Sequence, residues 1–119
     1  MAFRVELAPE ALADLDAIAV YIQERGSFVN AERWFHGIVD AIRSLDEFQT
    51  RCPVAAESQE LQTEIRLLLH GKRHRQYKIY FAIHHDSGTV RVFHVRHWAR
   101  KPLTDQDLDE LMDDAEDLP

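Results

Sequence analysis

Residues 2–7, AFRVEL, set apolar Phe3, Val5 and Leu7 against Arg4 and Glu6, the period-two pattern of a strand with one buried face. Ala8-Pro9-Glu10 then opens a helix, with proline in the first turn where its missing N–H is not needed. Leu12, Leu15, Ile18 or Ala19, and Ile22 follow at helical spacing, and Gly26 stops the run. Ser27 or Asn30 is placed to cap a second helix, whose apolar stripe reads Ala31, Phe35, Ile38, Ile42 and Leu45. Two adjacent amphipathic helices joined by a short turn predict an αα-hairpin. Cys52-Pro53 closes this half, and residues 53–63 are a polar connection.

The second half changes period. Ile65, Leu67 and Leu69 alternate with Arg66 and His70; Tyr77, Ile79, Phe81 and Ile83 alternate with Lys78, Tyr80, Ala82 and His84. His85-Asp86-Ser87-Gly88 supplies turn chemistry, and residues 89–98 return as a strand. Two sets compete for its buried face, Val90 and Val92 against Phe93 and Val95. Thr104 reads as an N-cap before Leu108, Leu111, Met112 and Ala115, with acids in the first turn. The expected fold class is α+β: N-terminal strand, α-helical hairpin and three-stranded antiparallel meander (β-α-α-β-β-β), plus a short C-terminal acidic helix. The expected organisation is one domain over residues 1–103 and an acidic helix or tail over 104–119.

Charge alters this picture. The formal net charge is −7, yet residues 66–101 hold nine Lys/Arg and one acid, Asp86, together with six of the seven histidines. Residues 102–119 hold eight acids and no Lys/Arg. Such a basic block calls for an anionic partner, nucleic acid first, or for the acidic parts of the same chain. The single cysteine, Cys52, excludes an internal disulfide and fits a reducing, cytoplasmic setting. No apolar run approaches a membrane span, and no signal peptide is expected from MAFRVELAPEA.

Four stretches carry a family resemblance: APEALADLDAIAVYI, with its Ala-x-x-Asp-Leu-x-x-Ile core; Ala31-Glu32 through Leu45; Ile65-Arg66-Leu67-Leu68 leading to Tyr77-Lys78-Ile79-Tyr80-Phe81; and Val95-Arg96-His97-Trp98-Ala99-Arg100. In this order and spacing the chain resembles the RelE/ParE superfamily of bacterial type II toxins over roughly residues 3–103. The resemblance implies a growth-inhibiting toxin, of the kind tied to plasmid stabilisation, that a cognate antitoxin wraps and neutralises. A ParE-like branch blocks DNA gyrase by binding; a RelE-like branch cuts mRNA on the ribosome. The acidic tail belongs to neither pattern.

Metal-free RNA cleavage needs a base for the 2′-hydroxyl, positive charge at the phosphorane and an acid for the leaving oxygen. By the resemblance, Arg66, Lys78, His97 and Arg100 are the candidate catalytic residues if the chain is an endoribonuclease. Lys72, Arg73, Arg75 and Arg96 are candidate nucleic-acid or anion contacts. Arg66, Lys78 and Arg96 or His97 are expected to share one face of the sheet. A tyrosine after Arg100 that would complete a proton-transfer pair is missing, which favours the ParE-like, protein-binding branch. A degenerate, non-toxic partner-binding module is the third reading. His84-His85 lacks further ligands at metal spacing, no phosphate-cradling glycine loop is present, and Cys52 has no patterned partner. No metal, nucleotide cofactor or cysteine nucleophile is therefore expected.

Overall fold

The computed structural model describes residues 2–55, 58–59, 63–72 and 76–97. Strand β1 (Arg4–Leu7) leads into α1 (Pro9–Arg25) and α2 (Phe28–Arg43), then a single turn α3 (Leu45–Phe48) and a 3₁₀ turn at Gln49–Arg51. Strands β2 (Ile65–His70), β3 (Tyr77–His84) and β4 (Thr89–His97) complete the fold. The sheet order is β1-β4-β3-β2: β2, β3 and β4 form the antiparallel meander, and β1 lies parallel to β4, pairing Arg4 to Leu7 with Thr89 to Val92. The expected acidic helix at 104–119 lies outside the described residues. Among the described residues no helix is long and apolar enough to cross a membrane.

Local signals set the helix ends. Pro9 occupies the first turn of α1, and the Gly26 N–H closes the last turn on the Ile22 carbonyl at 2.8 Å. Ser27, not Asn30, caps α2: its Oγ accepts from the Asn30 N–H at 3.1 Å. The helices pack on one face of the sheet, Ala11, Leu15, Ile38, Ile42 and Leu45 against Ile79, Phe81, Ile83, Val90, Val92 and Val95. Two expected stripe residues are outside this core, Leu12 at 53% exposure and Phe35 at 40%. The buried line of α1 runs through Ala11, Leu15 and Ile18, and Leu12 sits about 100° round the helix from Ala11.

A bulge in β4 resolves the competition for its buried face. Phe81 pairs with Val92 but Tyr80 pairs with His94, so Phe93 is an extra residue. The extra residue resets the alternation, and Val90, Val92 and Val95 all reach the helix-side core. Phe93 instead joins Ala8, Ala55, Ile65, Tyr80 and Ala82 in a smaller cluster.

Two acids then tie loose edges to the sheet. β1 stops at Leu7 while β4 runs on to His97, so that among the described residues the outer edge of the last residues of β4, the one turned away from β3, has no strand beside it. The Ala8 N–H takes the Val92 carbonyl at 2.8 Å. Asp14, one turn into α1, stands in for the absent strand: its Oδ2 accepts from the Val95 N–H at 3.0 Å and lies 3.1 Å from His94 Nδ1. At the opposite edge Arg66 clamps the segment after α3. Its Nε and Nη2 donate to Glu64 Oε1 at 3.0 and 2.7 Å, and its Nη1 donates to the Cys52 and Thr50 carbonyls at 2.6 and 3.3 Å. The other Glu64 oxygen meets His85 Nε2, in the β3–β4 turn, at 2.5 Å. Burial alone would raise the Glu64 pKa, but the hydrogen bonds from His85 and Arg66 outweigh it and hold the carboxyl below its ordinary value.

Asp14→Ala leaves the buried Val95 N–H without an acceptor and is expected to cost about 1–3 kcal/mol. Asp14→Asn keeps an acceptor oxygen and should cost less; urea unfolding of the three proteins checks the order. Because the folded Glu64 pKa is depressed, its contribution is complete above the unfolded carboxylate value of about 4.3 and fades as pH falls below it. The stability gap between wild type and Glu64→Gln should thus be flat from pH 7 to about 4.5 and shrink at lower pH. A gap that stays constant down to pH 3 contradicts the clamp.

Candidate functional site

Lys72, Lys78, Arg96 and His97 gather at one end of the sheet, where β2 ends, β3 begins and β4 ends. The antiparallel registers place Arg66 opposite Phe81, Lys78 opposite both Leu69 and Arg96, and Tyr77 opposite both His70 and His97. Directly opposed residues share a face. Arg66, His70, Tyr77 and His97 therefore lie on the helix side, whereas Lys78 and Arg96 lie on the opposite side. The expected single face joining Arg66 and Lys78 is not formed. Alternation within one strand fixes a face only for that strand; between strands the register decides, and here it pairs even-numbered positions of β2 with odd-numbered positions of β3.

On the helix side the end of the sheet is aromatic. The Tyr77 ring lies 5.2 Å from Trp34 of α2, and His97 meets Tyr77 edge-to-face at 5.4 Å and 84°. Gly37 of α2 faces His70: a Cβ there would lie 3.5 Å from the ring Nε2. Burial pushes the His70 imidazole below its usual pKa, so the ring stays neutral more readily under the helix. Arg66 sits at the far end of this face, its guanidinium engaged by one carboxylate and two carbonyls.

On the other side, Lys78 and Arg96 form a directly opposed pair of like charges, an arrangement a sheet disfavours unless solvent or an anion screens it. Their remaining cross-strand neighbour is Leu69, 51% exposed. Lys72 is exposed just beyond β2, after Gly71, whose φ of 105° begins the β2–β3 connection in a conformation suited to glycine. Arg73, Arg75 and Arg100 lie outside the described residues.

Sequence reasoning missed a cleft. Because β1 ends early, α1 and the outer edge of β4 border a cleft of about 460 Å³, lined by Asp14, Ala17, Ile18 and Tyr21 of α1 and by Tyr77, Val95, Arg96 and His97 of the sheet. The α1 lining residues recur at steps of three, one and three, one helical face. The Arg25 guanidinium stacks 4.4 Å over the Tyr21 ring at the rim. An acid within the apolar face of α1, followed two turns later by an exposed tyrosine, was the available sequence signal. The lining sets Arg96, His97, two tyrosines and the Asp14 carboxylate beside the apolar Ala17, Ile18 and Val95, a few polar groups against an apolar wall.

Cys52 is buried, and burial raises its thiol pKa with only partial relief from Arg66, which disfavours the thiolate needed for nucleophilic chemistry. Among the described residues no group of three or more His, Cys, Asp or Glu is arranged to hold a metal ion.

Comparison with known proteins agrees with this architecture. A solved structure titled "Chromosomal ParDE TA system from P. aeruginosa" superposes with a TM-score of 0.65 at 17% identity, covering 81% of this chain and 96% of that one. That likeness speaks to the fold. A search of curated protein sequences found no match. A family model described as "ParE toxin of type II toxin-antitoxin system, parDE" matches residues 5–102, from the first strand through the closing Val95–Arg100 motif. The chain belongs to the ParE toxin family of type II toxin–antitoxin systems.

Proposed function

We propose that this toxin arrests growth by binding a protein target, of the DNA gyrase class, and that a cognate antitoxin neutralises it by covering its surface. The observation that carries the reading is the ParE family match over residues 5–102. The division of the basic residues supports it. A phosphorane in cleavage needs charge and proton donors converging on one point, but Lys78 and Arg66 lie on opposite faces and Arg66 is held by Glu64 and backbone carbonyls. A protein partner also has a surface to meet: Leu12, Val20, Tyr21, Phe28, Val29 and Phe35 of the helical hairpin are all exposed, more apolar side chains on one hairpin than a solvated surface needs. Lys72, Arg73, Arg75 and Arg96 then serve as electrostatic contacts that speed encounter with an acidic partner or with DNA held by the target.

Inducing the chain alone in bacteria while mapping mRNA 5′ ends tests the proposal. Growth arrest without new ends at defined codon positions is expected; new ends there would assign the RelE-like ribonuclease activity instead. Arg66→Ala separates the two roles of that residue. As a clamp, its loss should lower stability by about 2 kcal/mol or more and reduce toxicity only through folding, a change read by thermal unfolding. An unchanged melting temperature with lost activity would make Arg66 a direct participant.

A further inference from the structure

The outer edge of β2 is covered along only half its length. The Ile83 N–H donates to the Glu64 carbonyl at 3.1 Å. That register turns the backbone groups of residues 66, 68 and 70 toward β3 and those of Ile65, Leu67 and Leu69 outward. Residues 53–58 meet the first of the outward groups. The Ala55 N–H donates to the Ile65 carbonyl at 2.8 Å, the Leu67 N–H to the Pro53 carbonyl at 3.0 Å, and the Ile65 N–H to Ser58 Oγ at 3.2 Å. The cover stops at Pro53, which has no N–H to give the Leu67 carbonyl. The chain before it is drawn into the helix side, where Cys52 joins the core and Arg66 holds the Cys52 and Thr50 carbonyls. Among the described residues, nothing meets the Leu67 carbonyl or the N–H and carbonyl of Leu69. Beside this stretch runs a groove of about 270 Å³ whose lining includes Leu45, Phe48, Arg51, Cys52, Leu68 and Leu69. Phe48, Leu69 and the nearby Val54 are exposed, and the Arg51 guanidinium stacks 4.5 Å over the Phe48 ring. No carboxylate lines the groove: Asp46 and Glu47 of α3 lie outside the lining, and Glu64, at the other end of β2, is engaged by Arg66 and His85.

We propose that this open edge docks an extended acidic segment of another protein, which joins the sheet as an antiparallel strand beside β2. Three features point to it. The first is the backbone. An edge with unmet N–H and carbonyl groups beside exposed apolar side chains is a template for a further strand. The added strand would take three bonds, one from the Leu69 N–H and two to the Leu67 and Leu69 carbonyls, continuing the antiparallel alignment that Val54 makes with Arg66. The second is the division of the faces. Leu68 packs with the helix-side core, so the residue paired with it would set its side chain toward Leu45, Phe48 and Cys52, which suits an apolar group. Leu69 turns the other way and stands directly opposite Lys78, which makes no ion pair among the described residues. The residue paired with Leu69 therefore shares a face with Lys78. The third is charge. Arg51 in the groove, Lys78 on the far face and exposed Lys72 just past the strand all favour an acidic occupant. They also oppose self-pairing, since two copies set edge to edge would gather the same three cations from each. The partner's segment thus alternates apolar and acidic residues, and the site stands whichever target the toxin acts on.

Binding of a fluorescein-labelled peptide of alternating glutamate and valine to the intact chain tests the proposal without a variant. Amide hydrogen exchange, read by NMR, locates it. At saturating peptide the Leu69 amide should exchange at least tenfold more slowly, while those of Leu68 and His70, already paired with β3, keep their rates. Backbone N-methylation then reads the pairing. In the antiparallel arrangement the glutamates stand opposite Leu67 and Leu69 and turn their N–H groups to β2. Methylating the glutamate nitrogens should weaken binding at least tenfold, and methylating the valine nitrogens should leave it unchanged; any other pattern overturns the proposal. Replacing glutamate by lysine should weaken binding at least tenfold at low salt. That difference should shrink in 1 M NaCl, where the Debye length drops to about 3 Å. Equal binding of the two peptides at low salt would contradict the acidic occupant. No binding at millimolar peptide, or slowed exchange confined to α1 and α2, would contradict the site. Protection of the Leu69 amide that grows with protein concentration in the absence of peptide would assign the edge to a second copy and overturn it as well.

Discussion

Everything in this fold leans on β4, and β4 depends on a polar group that is not part of any strand. It pairs with β3 along its length, but β1 accompanies it only from Thr89 to Val92. Past that point its outer edge has backbone groups to satisfy, and Asp14 answers from α1 by accepting the Val95 N–H while meeting His94. That bond sets how α1 lies along the sheet edge, and so sets the cleft. It also supports the strand just after the Phe93 bulge, where pairing is weakest. A continued β1 would have filled the place where α1 and the β4 edge now border the cleft.

The bulge has consequences for both faces. Without it, Val90 and Val92 would share one side with His94, and Phe93 and Val95 would take the other. With it, Val90, Val92 and Val95 join the same core, and Phe93 seals the small cluster around Tyr80 and Ile65. His97 thereby stands over Tyr77 on the helix side, and Arg96 stands beside Lys78 on the other. One inserted residue decides which side chains meet at this end of the sheet.

Element identity was legible in the sequence because it depends on local period and punctuation: Pro9, Gly26 and Ser27 bound the helices, and His85–Gly88 forms the turn, with Gly88 at φ 65°. The relation between elements was not. Both candidate faces of β4 looked buried because both are, in different clusters, and no local rule announces a bulge. Register hid the separation of Arg66 from Lys78. Leu12 and Phe35 fit a helical stripe by spacing, yet the helices roll so that Ala11 and Trp34 take the inward positions. Asp14 was readable as a motif residue; its use depends on a strand ending elsewhere in the chain.

The site inherits this division. Arg66 works as a fastening between the Gln49–Arg51 turn, β2 and the hairpin, while the exposed cations and the apolar helical hairpin face outward, where a macromolecule can reach them. The central claim is that the toxin acts by occupying a protein. Its most direct test is a supercoiling reaction with purified gyrase and relaxed plasmid. The chain is expected to stop supercoiling in proportion to its concentration, and prior mixing with its antitoxin to restore it. Undiminished supercoiling, with cleavage of mRNA on purified ribosomes by the same preparation, would contradict it.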